Sequence, residues 1–428
     1  MPVLAKECPY PHNGGMKTST NKYYLCSLIL IASLAGCGGG QAPDSITTEV
    51  RLLATPSAAG SMGPNLVVGA AGAVVLSWIE PLGDGSALRY SVLNEGAWGA
   101  PETVASGDNW FVNWADFPSV VPVSESLWAA HWLVRREAGG YAYDIFAAIS
   151  NDSGSTWSDP FNPHTDGTDT EHGFVTIFPN DGGVGMLWLD GRKMVNDVTD
   201  DVAASGMTLR SATFAADLSS TSEVLVDDLT CDCCQTDIAI TANGPVAVYR
   251  DRSVKEIRDI YVARLVDGEW QQGQAVSDDN WEIPGCPVNG PVIQATGSDV
   301  AVAWFSAGDE RPRVQAAWSA DSGKTFSQRI EVSTDHPLGH VGSALLPNGD
   351  LVVSWHHKTG GGTAELNLRR VSPNGELGNV YVLQEAADIF AFSVPQLLLH
   401  NNELIASWTS KIDDGYQVKS AAIPLGIL

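Results

Sequence analysis

The sequence predicts an all-β fold, a β-propeller of seven four-stranded blades, and three observations carry that expectation. A short apolar run ends in an aromatic residue seven times, at Trp78, Trp132, Trp188, Tyr249, Trp304, Trp355 and Trp408, with intervals of 54, 56, 61, 55, 51 and 53 residues. The intervals read as strands and turns without helical periodicity, and arrays of four-stranded units of about 40–50 residues are the signature of a propeller. The last unit, Val394 to Ile423, holds only three strands, while Glu49-Val50-Arg51-Leu52-Leu53 is a spare strand at the front. An incomplete blade would leave strand edges unpaired, so the N-terminal strand is expected to close the ring.

Taken in order, the chain begins with a segment that is not part of the fold. Lys17 and Lys22 precede an apolar run from Tyr23 to Leu34 that ends in Leu34-Ala35-Gly36-Cys37. A charged, then apolar, then small-residue sequence is an export signal, and this run is too short to span a bilayer as a helix. Residues 1–15 fit no signal design, which makes Met16 the expected start and residues 1–36 the discarded segment. Cys8 and Cys26 are lost with it. Residues 37–47, with Gly38-Gly39-Gly40, read as a tether, and residues 48–428 as a single propeller domain.

The blades follow. Unit two shows the pattern: Phe117 to Val123, Leu127 to Val134, Tyr143 to Ile149, a turn at Asn151 to Trp157 and a short outer strand near Pro160. Outer strands recur at Glu102-Thr103-Val104, Glu223-Val224-Leu225-Val226, Gln274-Ala275-Val276, Arg329-Ile330-Glu331-Val332 and Val380-Tyr381-Val382-Leu383. The net charge of −26 at pH 7 argues against nucleic acid as a partner, because a phosphate backbone would be repelled. Removing residues 1–36 takes away Lys6, Lys17, Lys22 and Glu7 and makes the protein more acidic still.

Two of the turns between third and fourth strands share the pattern Ser-x-Asp-x-Gly-x-Thr-aromatic, at Ser150, Asp152, Gly154, Thr156 and Trp157, and at Ser319, Asp321, Gly323, Thr325 and Phe326. The aspartate accepts backbone N–H groups, the glycine takes a positive φ, and the aromatic packs between blades. These turns resemble the Asp-box (BNR repeat) of the sialidase superfamily, and the repeat pattern extends the resemblance over most of the mature chain. Likewise, Leu34-Ala35-Gly36-Cys37 resembles the bacterial lipobox, which implies lipidation of Cys37 and a place in the bacterial cell envelope, membrane-attached through that anchor alone. The sialidase resemblance implies an Asp-box face turned away from the pocket. It also implies an arginine triad, a tyrosine nucleophile helped by glutamate and an aspartate acid/base, on six blades; a six-bladed ring is thus the alternative to seven. The family's early Arg-Ile-Pro is replaced here by Arg51-Leu52-Leu53-Ala54-Thr55-Pro56.

Candidate pocket residues follow the second strands of units three and four: Asp190 and Arg192, then Tyr249, Arg250, Asp251 and Arg252. Arginines and a tyrosine near a pore suit an anionic glycan or another small anion, whereas the same residues can equally form ion pairs between blades. No nucleophile is assigned. Trp110, Phe111, Trp114 and Phe117 crowd the connection before unit two, either as a platform for sugars or as core filling.

Four cysteines remain beyond Cys37: Cys231, Cys233 and Cys234 before unit four, and Cys286 before unit five. Fifteen residues before each marker aromatic stand Gly63, Phe117, Gly173, Cys234, Asn289, His340 and Ser393, and sixteen before the markers of units one and three stand Met62 and His172. A ring of Cys234, His340, His172 and Met62 would offer soft donors suited to copper or zinc. The other reading is two disulfides, Cys231 with Cys286 and Cys233 with Cys234, one of them labile. Three functional classes therefore stand: a glycan-binding or glycan-hydrolysing lipoprotein, a metal or redox propeller, and a disulfide-stapled interaction scaffold.

Overall fold

The computed structural model describes residues 49–69, 71–196, 205–385, 393–413 and 415–428. The expected export segment with Met16, the expected tether and Cys37 lie outside the described residues. The unit Thr47–Leu428 is a ring of seven antiparallel sheets, so the six-bladed alternative is set aside.

Blades one to six each take their strands from consecutive chain, inner strand first. Blade one runs Met62–Val68, Val74–Leu82, Gly85–Asn94 and Glu102–Gly107. Blade two has Ser119–Pro122, Trp128–Arg135 and Tyr143–Ser150, and its outer strand is reduced to one bridge between Ala147 and Phe161. Blade three comprises His172–Asn180, Gly183–Asp190, Met207–Phe214 and Val224–Thr230. Blade four comprises Asp237–Thr241, Gly244–Arg250, Ile260–Val266 and the short Gln274–Ala275. Blades five and six start at Val292–Thr296 and Pro337–Leu345 and end at Ile330–Ser333 and Tyr381–Glu385.

Blade seven is closed by both chain ends. Gln396–His400, Glu403–Ile412 and Gly415–Pro424 are followed outward by Arg51–Leu53, with Arg51 opposite Ala422 and Leu53 opposite Ser420. This is the closure expected from the spare strand, and it pairs an edge that would otherwise be a template for aggregation.

The marker aromatics sit where strand alternation and ring geometry both bury them. Trp78, Trp188, Trp304 and Tyr249 have no exposed surface, and each lies in an apolar cluster that spans neighbouring blades. A buried indole or phenol needs a partner for its polar tip. Trp78 donates to Glu80 at 2.7 Å, Trp188 to Asp190 at 3.0 Å, Trp304 to Asp279 at 2.7 Å and Tyr249 to Asp227 at 2.6 Å. The rule that buries the markers thus also buries acids where the second strands end.

The opposite face carries the two Ser-x-Asp-x-Gly-x-Thr turns. In the second of them Asp321 accepts from Ser319 Oγ, Lys324 N, Thr325 N and Thr325 Oγ1, at 2.7, 3.0, 2.9 and 2.7 Å. Gly323 stands at φ +77°, where a side chain would be strained. In the first, Tyr90 of blade one donates to the Gly154 carbonyl at 2.9 Å, tying blades one and two together.

Candidate functional site

At the ends of the second strands, the connection at residues 108–118 crosses the mouth of the axis. Trp114 meets His340 of blade six edge-on, with ring centres 5.0 Å apart. The Ala115 carbonyl accepts from Gln235 before blade four at 2.6 Å, and Asp116 accepts the Phe174 N–H of blade three at 2.8 Å. Beneath this strap lies an axial cavity of about 200 Å³ whose lining includes Asn65, Ser119, Thr176, Asp237 and Gln396.

Beside the strap is the arrangement with the clearest chemistry. The Tyr143 hydroxyl lies 2.7 Å from Asp116 Oδ2 and 2.7 Å from Glu171 Oε1. Tyr143 opens the third strand of blade two, Asp116 comes from the strap, and Glu171 immediately precedes blade three. A phenol has one proton to donate, so both contacts are hydrogen bonds only if one carboxyl group keeps its own proton. Burial favours that: it pushes Asp116 up to about 7, against the hydrogen bonds from Tyr143 and Phe174. Burial also pushes Glu171 up to about 8, with the charges of Asp116 and Asp232 adding to it and Tyr143 opposing. Tyr143 is itself pushed far above the ordinary phenol range by burial and by both carboxylates. The trio therefore stores a proton that can be released near neutral pH, as an acid/base catalyst requires. Glu171 is partly exposed, whereas Asp116 and Tyr143 are buried.

Aromatic surface borders the trio. Phe111 stacks on Tyr143 at 4.0 Å, and the same ring carries the Arg135 guanidinium at 4.8 Å and the edge of Tyr141 at 6.1 Å. Tyr141 is 69% exposed and Trp114 37%. Arg135 is exposed and takes part in no ion pair among the described residues.

The residues singled out from sequence are placed differently. Asp190 is fully buried and receives Trp188 and Arg192, the latter at 2.6 Å. Arg192 also binds Glu223 at 2.8 Å. Tyr249 points its hydroxyl at Asp227 in the core. Arg250 is 2% exposed and donates to the carbonyls of Asn289, Arg258 and Phe305 at 2.7–3.1 Å. Arg252 binds Asp232 at 3.1 Å and Glu256 at 2.6 Å. Asp251 is pushed up to about 8, by burial first and by the nearby Asp227 and Asp259 charges. These arginines are held by internal acceptors, because a strand end beside another blade supplies carbonyls and carboxylates before any ligand does.

The expected soft-donor ring does not assemble either. His172 is buried between blades two and three, its ring stacked on that of His164 at 3.8 Å, with Nε2 3.2 Å from Asp166. Asp144, His164 and His172, and Asp166, His172 and Asp190, each bring donor atoms within 4.8 Å of one another. Arg136, Arg192 and Arg210 form ion pairs with the acids around this cluster, and both buried ring nitrogens of His172 lack a hydrogen bond among the described residues. His340 instead lies 3.2 Å from His356 and donates its backbone N–H to the Asn289 side-chain oxygen at 2.6 Å. Met62 packs among the apolar residues of blades one and two.

Among the cysteines the pairing is a correction to the expected one. Cys233 is bonded to Cys286, with Cα atoms 6.1 Å apart, inside the usual disulfide span. Cys231 and Cys234 are buried free thiols whose sulfurs stand 3.3 Å apart. Asp232 and Cys233 form a turn between Cys231 and Cys234, which sets the Cys231 and Cys234 sulfurs beside each other and leaves Cys233 to the longer-range bridge.

Sequence reasoning missed Asp116, Arg135, Tyr143, Glu171 and His164. Asp116 and Glu171 each stand one residue before a position at or beside the ring level, Phe117 and His172. That offset is the one signal that could have drawn attention to them.

No protein-family model matches the chain, and no curated protein matches it. Similar solved structures include an ulvan lyase, a polysaccharide lyase bound to -[GlcA(1-4)Rha3S]-, with 12% identity, 87% of this chain and 96% of that chain covered, and a TM-score of 0.53. A protein of unknown function from Dyadobacter fermentans has 14% identity, 88% and 96% coverage and a TM-score of 0.45. A Trypanosoma rangeli sialidase has 12% identity and a TM-score of 0.44, with 79% of this chain covered; the chain spans only 57% of that protein. Identities this low establish the shared propeller fold alone.

Proposed function

We propose that this protein binds an anionic carbohydrate where the second strands end, and processes it with the proton held by Asp116, Tyr143 and Glu171. The observation that carries the reading is the Tyr143 hydroxyl at 2.7 Å from two carboxyl groups that burial keeps partly protonated at neutral pH. Glu171, the accessible member, delivers the proton to the leaving sugar oxygen. Tyr143 and Asp116 hold Glu171 in place and replenish its proton. Arg135 takes the acidic group of the sugar, and Trp114 and Tyr141 offer faces for pyranose rings. The ulvan lyase of similar fold, bound to a uronate-containing saccharide, supports the choice of ligand class. With the lipobox-like Cys37, the reading places the protein tethered in the bacterial cell envelope, facing polysaccharide outside the cytoplasm.

The test is a panel of uronic-acid, sulfated and sialylated glycans, scored first for binding and then for new reducing ends or unsaturated sugars. Glu171→Gln is expected to abolish turnover and keep binding, while Arg135→Met weakens binding of acidic glycans and leaves the melting temperature alone. Absence of binding across the panel, or wild-type turnover in Glu171→Gln, refutes the proposal.

A further inference from the structure

Four sulfurs gather where the connections into blades four and five meet, and they divide into two chemically different pairs. Cys233 and Cys286 form a bridge, and Cys286 is exposed. Cys231 and Cys234, in Cys-x-x-Cys spacing, are buried thiols 3.3 Å apart. Cys231 lies within 4.8 Å of both sulfurs of the bridge. The Arg258 guanidinium donates to Cys231 Sγ at 3.3 Å. A thiolate beside a disulfide, next to a resolving thiol and under a cationic group, is the set of parts that thiol–disulfide exchange needs.

We propose that Cys231, Cys233, Cys234 and Cys286 form a thiol–disulfide exchange relay that moves one disulfide between a buried pair and a pair that reaches the surface at Cys286. In the first step the Cys231 thiolate attacks Cys286 Sγ. The Cys231–Cys286 bond forms, the Cys233–Cys286 bond breaks, and Cys233 leaves as a thiolate. In the second step Cys234, giving up its proton, attacks Cys231 Sγ. The Cys231–Cys234 bond forms, the Cys231–Cys286 bond breaks, and Cys286 leaves as a thiolate. Cys233 and Cys286 take up the two protons given up by Cys231 and Cys234. One disulfide and two thiols are present before and after, so the internal transfer needs neither oxidant nor reductant. Turnover then consists of an external disulfide or dithiol exchanging at the exposed Cys286.

The surroundings favour this direction of attack. Burial opposes ionisation of Cys231, but hydrogen bonding from Cys234 and the charges of Arg258 and Arg250 outweigh it and bring the thiol down to about 6. Burial and the neighbouring Cys231 push Cys234 well up, so it waits as the protonated, resolving thiol. Those same guanidinium groups stand against a metal cation, which would have to share the space beside Cys231 with them.

The test is a disulfide map of the full chain in detergent, poised with dithiothreitol mixtures, quenched with acid and labelled with an alkylating reagent. The expected result is one bridge per chain, divided between Cys233–Cys286 and Cys231–Cys234. Cys234→Ser is expected to lose the buried isomer and accumulate Cys231–Cys286. The wild-type map stands on its own should that variant fail to fold. Recovery of Cys233–Cys286 alone at every poise, with Cys231 and Cys234 labelled only after unfolding, overturns the relay. So does one equivalent of copper or zinc held by four reduced sulfurs. Glycan turnover is not read in this experiment, so the two proposals fail separately.

Discussion

Replacing Asp116 with asparagine should make the protein more stable at pH 8 while leaving it nearly unchanged at pH 4. Both hydrogen bonds survive the change. The amide oxygen can accept the Phe174 N–H, now 2.8 Å from Asp116. The amide nitrogen can donate to the Tyr143 oxygen, which frees the phenol proton for Glu171. What disappears is the ionisation. In the fold the Asp116 carboxyl is raised from 3.8 to about 7, and each unit corresponds to about 1.4 kcal/mol. Between those values the folded state holds a proton that the unfolded chain has released, so stability falls as pH rises through the window and levels off above about 7. The cost at the plateau is about 4 kcal/mol at most. Urea unfolding of the two proteins from pH 4 to 8.5 gives the check. The advantage of Asp116→Asn should open from about pH 4 and stop growing above about pH 7. Asp237, raised by its own burial, acts on both proteins and cancels in the difference, whereas Glu171 loses the upward push of the Asp116 charge in the variant and adds to the advantage in the same direction. Parallel stability curves would refute the buried-proton argument and with it the acid/base role of the trio.

Three further outcomes are expected. Arg250→Met should destabilise the protein by about 3–5 kcal/mol, measured by denaturant unfolding, because four hydrogen bonds to buried carbonyls are lost together. Asp321→Ala should lower the melting temperature and leave glycan binding intact. Hydrogen bonds from Ser319 and Thr325 hold this carboxylate down to about 2, so the stability it provides is present above the usual carboxylate range and is lost as pH falls toward 2; the variant's deficit should therefore shrink in acid. Leu53→Asp should cost about 3 kcal/mol or more and promote aggregation, visible by light scattering, since Leu53 is buried in the closing strand of blade seven.

The ring was legible because its cause is local and repeated. Each blade must bury an aromatic at the same place in its second strand, so Trp78 through Trp408 mark the period without any knowledge of contacts. Closure by Arg51–Leu53 was legible for a related reason: an unpaired edge in one place and a spare strand in another leave few other solutions. Charge partners follow no such period. Arg192, Arg250 and Arg252 look like ligand-binding residues in sequence, yet their acceptors are Glu223, the Asn289 carbonyl and Asp232, on connections whose lengths vary from blade to blade. The cysteines were legible as a cluster and not as a pairing, because the fold brings Cys286 beside both Cys231 and Cys233, and spacing alone does not choose between them.

The acidic trio stands against a pattern that four of the blades keep, with the Trp355 Nε1 of blade six left without a hydrogen-bond partner among the described residues. In blades one, three, four and five the marker aromatic gives its polar tip to a carboxylate, and in blade seven Trp408 gives it to the Gln384 side chain. Blade two instead stacks Trp132 on Trp110, with ring centres 5.6 Å apart. The acids beside blade two, Asp116 and Glu171, are turned onto Tyr143. A carboxylate that accepts one indole N–H is satisfied and chemically idle. Two carboxyls facing one phenol proton are not, and burial pushes Asp116 up to about 7 and Glu171 up to about 8. In blade two, therefore, the acids not taken up by the marker aromatic are the ones that the proposed acid/base chemistry uses, and the connection before that blade is drawn across the axis by Trp114 and Ala115.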